Sequence, residues 1–196
     1  HAYVVRAGPD GEYRAGAQFL AMMRARTLAE WNTALAMRAR ATSNLTYADR
    51  AGNILTIWMA SLPKIPHAPT GDSLFTVART SADIWTSLLP LEQLPQTLNP
   101  KGGYVHNEND APYYANLNAM LDSGAYPANV ERGELRLRSQ HALQLLHGSK
   151  KFSLEGVVAA HDGFINFRAA CHVVGLHRQH FLQRIGSAVS FQRPHF

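Results

Sequence analysis

Cysteine is almost absent from this chain of 196 residues, where Cys171 stands alone. A single thiol excludes an internal disulfide and any cysteine-built zinc module. Long apolar runs are missing as well, and none approaches the ~20 residues that a membrane-spanning helix needs. The formal net charge is +5, yet the basic residues are scattered, with no Lys/Arg block and no aromatic-basic interleaving. That pattern is a solvated surface, so neither nucleic acid nor a membrane is an expected partner. The opening His-Ala-Tyr-Val-Val-Arg has strand character and lacks the layout of a signal peptide. Acidic residues stop at Asp162, beyond which Arg168, Arg178, Arg184, Arg193 and four histidines gather. This asymmetry sets residues 162–196 apart as a basic, His-rich tail behind a domain of residues 1–161.

What is present is ordinary globular material, 46% hydrophobic and 17% charged, enough for one domain with a core. Ala2 to Arg6 reads as a strand, ended by a turn at Gly8-Pro9-Asp10-Gly11. From Ala17 the residues Phe19, Leu20, Met22 and Met23 form an apolar stripe on a helix. Thr27-Leu28-Ala29-Glu30 is a capping box, which opens a second helix expected to reach about Arg40 and to bury Trp31, Leu35 and Met37. Thr42 to Ala48 and Ile54 to Met59 are β-rich runs around the polar turn Asp49-Arg50-Ala51-Gly52-Asn53, so they predict a hairpin. Asn44-Leu45-Thr46 matches a glycosylation sequon, but its place inside a strand argues against that use. Leu62 to Ser73, with Pro63, Pro66 and Pro69, is an irregular loop, and residues 82–98 form a proline-punctuated packed connector. Short helices are expected over Tyr114 to Leu121, over Leu135 to Leu146, and after a Ser153 cap.

The stretch from Asn99 to Pro112 carries the densest polar signal. Asn99-Pro100-Lys101-Gly102 has the composition of a tight turn. Gly103 to Glu108 is then expected to run extended, with Val105, Asn107 and Asn109 on one face and Tyr104, His106 and Glu108 on the other. Other chemistry is poorly supported. His172, His177 and His180 have helical spacing but neither an HExxH pattern nor a carboxylate partner, and His141 with His147 is a looser pair, so no metal or other cofactor is expected. Ser139, His141 and Asp162 supply the residue types of a triad without a G-x-S-x-G elbow.

The runs Phe19 to Trp31 and Thr42 to Ile54, followed by Leu94-Pro95, Asn99-Pro100, Gly103-Tyr104, Asn107, Asn109 and Pro112, resemble the penicillin acylase family of N-terminal-nucleophile amidohydrolases. Three ordered motifs over about a hundred residues make the resemblance specific. It implies an α+β fold, part of a four-layer αββα sandwich with packed helices. It also implies hydrolysis of linear C–N amide bonds in a small-molecule substrate, as in penicillin or acyl-homoserine-lactone acylases, in a periplasmic setting. The family's catalytic serine opens its mature β chain, and the serine's own α-amino group serves as base. By the motif, Asn109 matches the oxyanion-hole asparagine, and Arg138 falls where an active-site arginine stands. His106 and Asn107 are the expected substrate-binding neighbours, while Asn44, Tyr47 and Asp49 match a structural hairpin motif.

No serine or threonine opens a recognisable catalytic strand here, so the nucleophile is expected outside this sequence. Three readings stay open at this point. One is a truncated acylase fragment that needs its nucleophile segment. Another is a stand-alone hydrolase with an unrecognised nucleophile or metal. The third is a non-catalytic module whose exposed sheet edges are paired by self-association.

Overall fold

Thr27 starts the best-defined local structure: its Oγ1 accepts the Glu30 amide at 3.2 Å, and Glu30 Oε2 accepts the Arg26 amide at 2.7 Å. The capping box is therefore shifted by one residue on its return arm, and it separates α1 (Ala15–Arg24) from α2 (Leu28–Leu35). In the computed structural model, residues 7–40, 42–65, 78–131, 135–147 and 151–159 are described. The expected strand at residues 2–6, most of the proline loop, Cys171 and the whole tail lie outside them. The chain divides into two compact units, His1–Glu134 and Leu135–Phe196.

In the first unit, β1 (Thr42–Ala48), β2 (Ile54–Ala60) and β3 (Gln96–Leu98) form an antiparallel sheet in the order β1-β2-β3. The hairpin lies where the sequence put it. Its turn is tied by Asp49, which accepts the Asn53 side-chain amide at 2.8 Å, the Asn53 backbone N–H at 2.9 Å and the Tyr47 hydroxyl at 3.0 Å. Those bonds, Asn53 first, hold the Asp49 carboxyl below its usual range.

Side-chain alternation sorts the sheet into two faces. Leu55 and Ile57 of β2 join Trp31 and Leu35 of α2 in one core cluster, against which Leu45 and Tyr47 pack. The Trp31 and Tyr47 rings lie 5.0 Å apart in a tilted arrangement. The intervening residues of β2 take the other face: Trp58 enters a second cluster with Leu62, Leu89, Leu94, Ala111, Tyr113 and Val130. Asn44 lies directly opposite Trp58 across the hairpin. The sheet thus carries the helix pair on one side and the polar loop on the other.

Four expectations change. α2 stops at Leu35, because Arg38 turns into the left-handed region (φ 52°) and the Ala39 amide leaves the helix ladder for Gln18 Oε1 at 2.7 Å. The buried position on α1 is that same Gln18; of the expected stripe, Met22 packs against the Trp31 cluster and Phe19 is half-buried, while Leu20 and Met23 are exposed. Gly103 to Glu108 forms no strand: Gly103, with φ 66°, and Glu108 lie in bends, and the residues between them belong to no ladder. Tyr114 to Leu121 is not an α-helix. A 3-10 turn covers Pro112–Tyr114, and Asn116 Oδ1 takes the Asn118 amide at 2.7 Å, a local side-chain bond that replaces a helical one.

In the second unit, α3 (Leu137–Leu146) occupies most of its expected span, with Ser139, Gln140, Ala142 and Leu143 buried. Residues 154–159 are helical, and Ser153 Oγ accepts the Gly156 amide at 3.2 Å.

Candidate functional site

The polar loop leaves β3 and is tied at once to the start of β2. Asn99 adopts a left-handed conformation (φ 47°) in which its Oδ1 accepts the Ile54 N–H at 2.8 Å. Its own amide donates to the Ile54 carbonyl at 2.9 Å, and its Nδ2 donates to Asn53 Oδ1 at 3.1 Å. The motif's two conspicuous asparagine turns, at 53 and 99, are therefore one bonded unit at the end of the hairpin. Gly102 (φ 92°) and Gly103 (φ 66°) then swing the chain back over the sheet, which residues with a Cβ resist.

Beyond Gly103 the loop is held by side chains in place of a ladder. The Tyr104 carbonyl accepts Asn116 Nδ2 at 2.8 Å, and the Tyr104 hydroxyl accepts the Leu117 N–H at 3.0 Å. His106 donates its backbone N–H to the Ala115 carbonyl at 3.1 Å, and its Nε2 lies 2.9 Å from the Tyr114 carbonyl. A carbonyl can only accept, so Nε2 carries the proton there and Nδ1 of the neutral ring is an acceptor. Burial pushes the His106 pKa down from 6.5, against smaller opposing effects of Asp110, the Tyr114 carbonyl and Glu108. Asn107 Oδ1 accepts the Asn109 amide at 3.1 Å, and Asp110 Oδ1 accepts the Glu108 amide at 3.2 Å. From below, Asn44 Nδ2 donates to the Asp110 carbonyl at 3.2 Å.

These bonds bring His106, Asn107 and Asn109 onto one short segment in different environments. His106 is buried under the loop, Asn107 is half-buried, and Asn109 is exposed with φ 57°. The faces expected from strand alternation are therefore not realised: the left-handed turn at Asn109 rotates it away from Asn107. Arg138 is the second residue of α3 and half-buried, in the other unit. Ser139 and His141 sit two apart on α3, a spacing that does not place side chains face to face, and Ser139 has no exposed surface. Among the described residues no cluster of His, Cys, Asp and Glu could hold a metal ion.

Two contributors were missed by sequence reasoning. Asn44, read as part of a structural hairpin motif, lines a small cavity beneath the loop together with Thr56, Trp58 and His106. Its signal was an asparagine in mid-strand, where that residue is disfavoured unless its amide has a task. Asn116, fully buried, had no signal beyond its residue type.

The penicillin amidase family matches residues 4–179. Penicillin G acylase from Escherichia coli is 34% identical over 90 residues, which are 46% of this chain and 10% of that protein. A solved structure of a thermostable penicillin G acylase from Alcaligenes faecalis aligns with a TM-score of 0.57 and 18% identity, over 93% of this chain and 30% of that one. At that identity the likeness is one of fold. This chain therefore spans a tenth of the curated relative and under a third of the solved one.

Proposed function

The chain belongs to the penicillin amidase family, and from that premise we propose that it supplies the oxyanion-stabilising part of an amide hydrolase site. In this reading a serine Oγ, presented by an N-terminal-nucleophile segment, attacks the carbonyl carbon of a linear amide. The serine proton passes to the serine's own α-amino group. The carbonyl oxygen becomes an oxyanion and accepts from Asn109 Nδ2. Collapse breaks the C–N bond, and the departing amine takes the proton. Arg138 gives electrostatic support, Asn107 lies on the substrate side beside Asn109, and His106, the other expected substrate neighbour, is buried beneath the loop and acts only through the loop's position. The corresponding architecture is an αββα sandwich in which the three-stranded sheet is one portion. A small-molecule amide is the substrate, with a penicillin side chain and an acyl-homoserine lactone among the candidates. A complementary acylase segment or a second copy of the chain is the expected partner.

The observation that carries the proposal is the state of Asn109. Its backbone is fixed from Asn107 while its side chain stands at the surface. An oxyanion donor needs that combination, since preorganisation is what makes such a hydrogen bond worth ~2.7–4 kcal/mol in the transition state. The test is hydrolysis of a panel of amides by the purified chain, alone and mixed with a segment bearing an acylase N-terminal serine. Activity that appears on mixing and falls on Asn109→Ala supports the proposal. Hydrolysis by the chain alone that ignores Asn109→Ala places the chemistry elsewhere and refutes it.

A further inference from the structure

Three buried polar atoms beneath the loop lack a hydrogen-bond partner within the protein: Asn44 Oδ1, Trp58 Nε1 and His106 Nδ1. All three residues line the same cavity, whose volume is about 10 Å³, close to the room one water molecule requires. Trp58 is 5% and His106 9% exposed, so bulk solvent does not serve them. Buried polar groups are rarely left unpaired, and three on one small cavity call for a common partner.

The roles of the Asn44 and His106 atoms follow from the other bond each side chain makes, and that of Trp58 from its residue type. Asn44 Nδ2 donates to the Asp110 carbonyl, which leaves Oδ1 as the buried, unpaired acceptor of that side chain. His106 Nε2 faces the Tyr114 carbonyl, which leaves Nδ1 as an acceptor too. The indole Nε1–H of Trp58 can only donate. A site with two acceptors and one donor suits neither a bare cation, which Trp58 would repel, nor an anion, which Asn44 and His106 would repel. It suits a molecule that donates twice and accepts once.

We infer that the cavity is a binding site for one structural water, which accepts from Trp58 Nε1–H and donates to Asn44 Oδ1 and His106 Nδ1. The water joins β1, β2 and the loop at a single point, so it fixes the height of the loop above the sheet. Burial that keeps the His106 ring neutral agrees with Nδ1 acting as acceptor. The site is independent of the acyl-transfer reading and stands whether or not Asn109 takes part in catalysis.

Nuclear magnetic resonance on the full chain, labelled with 15N, tests it with water itself as the probe. The expected result is a dipolar cross-peak between water and Trp58 Nε1–H with the sign of nanosecond or longer residence. The His106 ring should be the Nε2–H tautomer, with its Nδ1 resonance displaced from the value of an unbonded pyridine-type nitrogen. In Trp58→Phe, which removes the only donor, the His106 Nδ1 resonance should move again. Absence of the cross-peak, an unbonded Nδ1 shift, or a proton on Nδ1 would each overturn the inference. The unsubstituted protein alone yields those three readings, so failure of the variant to fold leaves the test intact.

Discussion

Asn109 holds two roles that a single alanine substitution confounds, and glycine separates them. With φ at 57°, the residue lies in the left-handed region. An alanine there bears about 1–2 kcal/mol of steric cost, whereas glycine bears none and loses ~0.4–1 kcal/mol through a freer unfolded chain. The 3.1 Å bond to the Asn107 side-chain Oδ1 uses only the backbone N–H of residue 109 and survives both changes. Asn109→Ala is therefore expected to unfold at lower urea than Asn109→Gly, with a difference of up to about 1.6 kcal/mol and an unchanged m value. Catalysis should not follow that order. Both variants delete the side-chain donor, so both should lose ~10²–10³-fold in kcat once the chain is assembled with a nucleophile segment. Urea denaturation followed by Trp fluorescence and amide hydrolysis on the same preparations give the two readings. A glycine variant that hydrolyses at the unsubstituted rate would show that the backbone turn is what matters, and that the amide donates nothing. An alanine variant more stable than the glycine variant would remove the left-handed conformation from the account.

Asn116→Leu should cost more than either change at 109, since it strips the 2.8 Å donor from the Tyr104 carbonyl and the 2.7 Å acceptor from the Asn118 amide. The half-buried Tyr104 carbonyl left unpaired costs up to about 1–3 kcal/mol, and the exposed Asn118 amide, which water can serve, adds less; calorimetry should show a fall in Tm, and an unchanged Tm would refute the role. Leu35→Ala empties a fully buried position between Trp31, Leu55 and Ile57, with an expected loss of ~2–5 kcal/mol by chemical denaturation. Lowering the pH tests His106. Its folded pKa lies below the unfolded 6.5, so between those values the unfolded chain binds more protons and stability rises with pH. The His106 contribution is thus fully present above pH 6.5 and declines as pH falls toward the folded pKa, by at most ~1.4 kcal/mol per pH unit. Replacing His106 by Gln should flatten that part of the stability profile, and an identical slope in the variant would refute the assignment.

The hairpin and the Thr27 cap were legible because each is decided within about ten residues by turn chemistry and β-propensity. Asp49, Gly52 and Asn53 have few alternatives between two such strands, and Thr27 with Glu30 is a local bonding pattern. α2 buries the face expected of it, with Trp31 and Leu35 in the core, but α1 does so only in part. Gln18 takes the buried position on α1 because its carbonyl oxygen serves the Ala39 amide, a demand created twenty-one residues away. The loop misled for a related reason. Tyr and Val favour a strand, but a strand needs a neighbour, and the groups that satisfy residues 104–106 are Asn116, Leu117, Ala115 and Tyr114, supplied by the chain's own return. β3 was missed because three residues between a proline and an asparagine carry too little pattern to register. The motif's spacing located the candidate site, but local propensity did not supply its scaffold.

That scaffold separates the residues which hold the loop from the residue which it presents. The loop's described anchors lie at Asn44, Tyr104, His106 and Asn116, with the first and third also lining the cavity. Asn109 lies past them on the exposed turn, closed by the bond from its backbone N–H to the Asn107 side-chain Oδ1. Changes at the anchors should therefore move stability first and activity through it, whereas a change of side chain at 109 meets no core packing. A donor placed this way can be rigid without belonging to a strand ladder. The loop's geometry is set by several bonds of ordinary strength, each net worth about 0.5–1.5 kcal/mol, so no single anchor carries it alone. Coupling between anchors follows from the same arrangement. Asn44 and His106 are joined through the cavity, and their paired substitution should cost less than the sum of the single ones, because the second change removes a partner the first has already stranded.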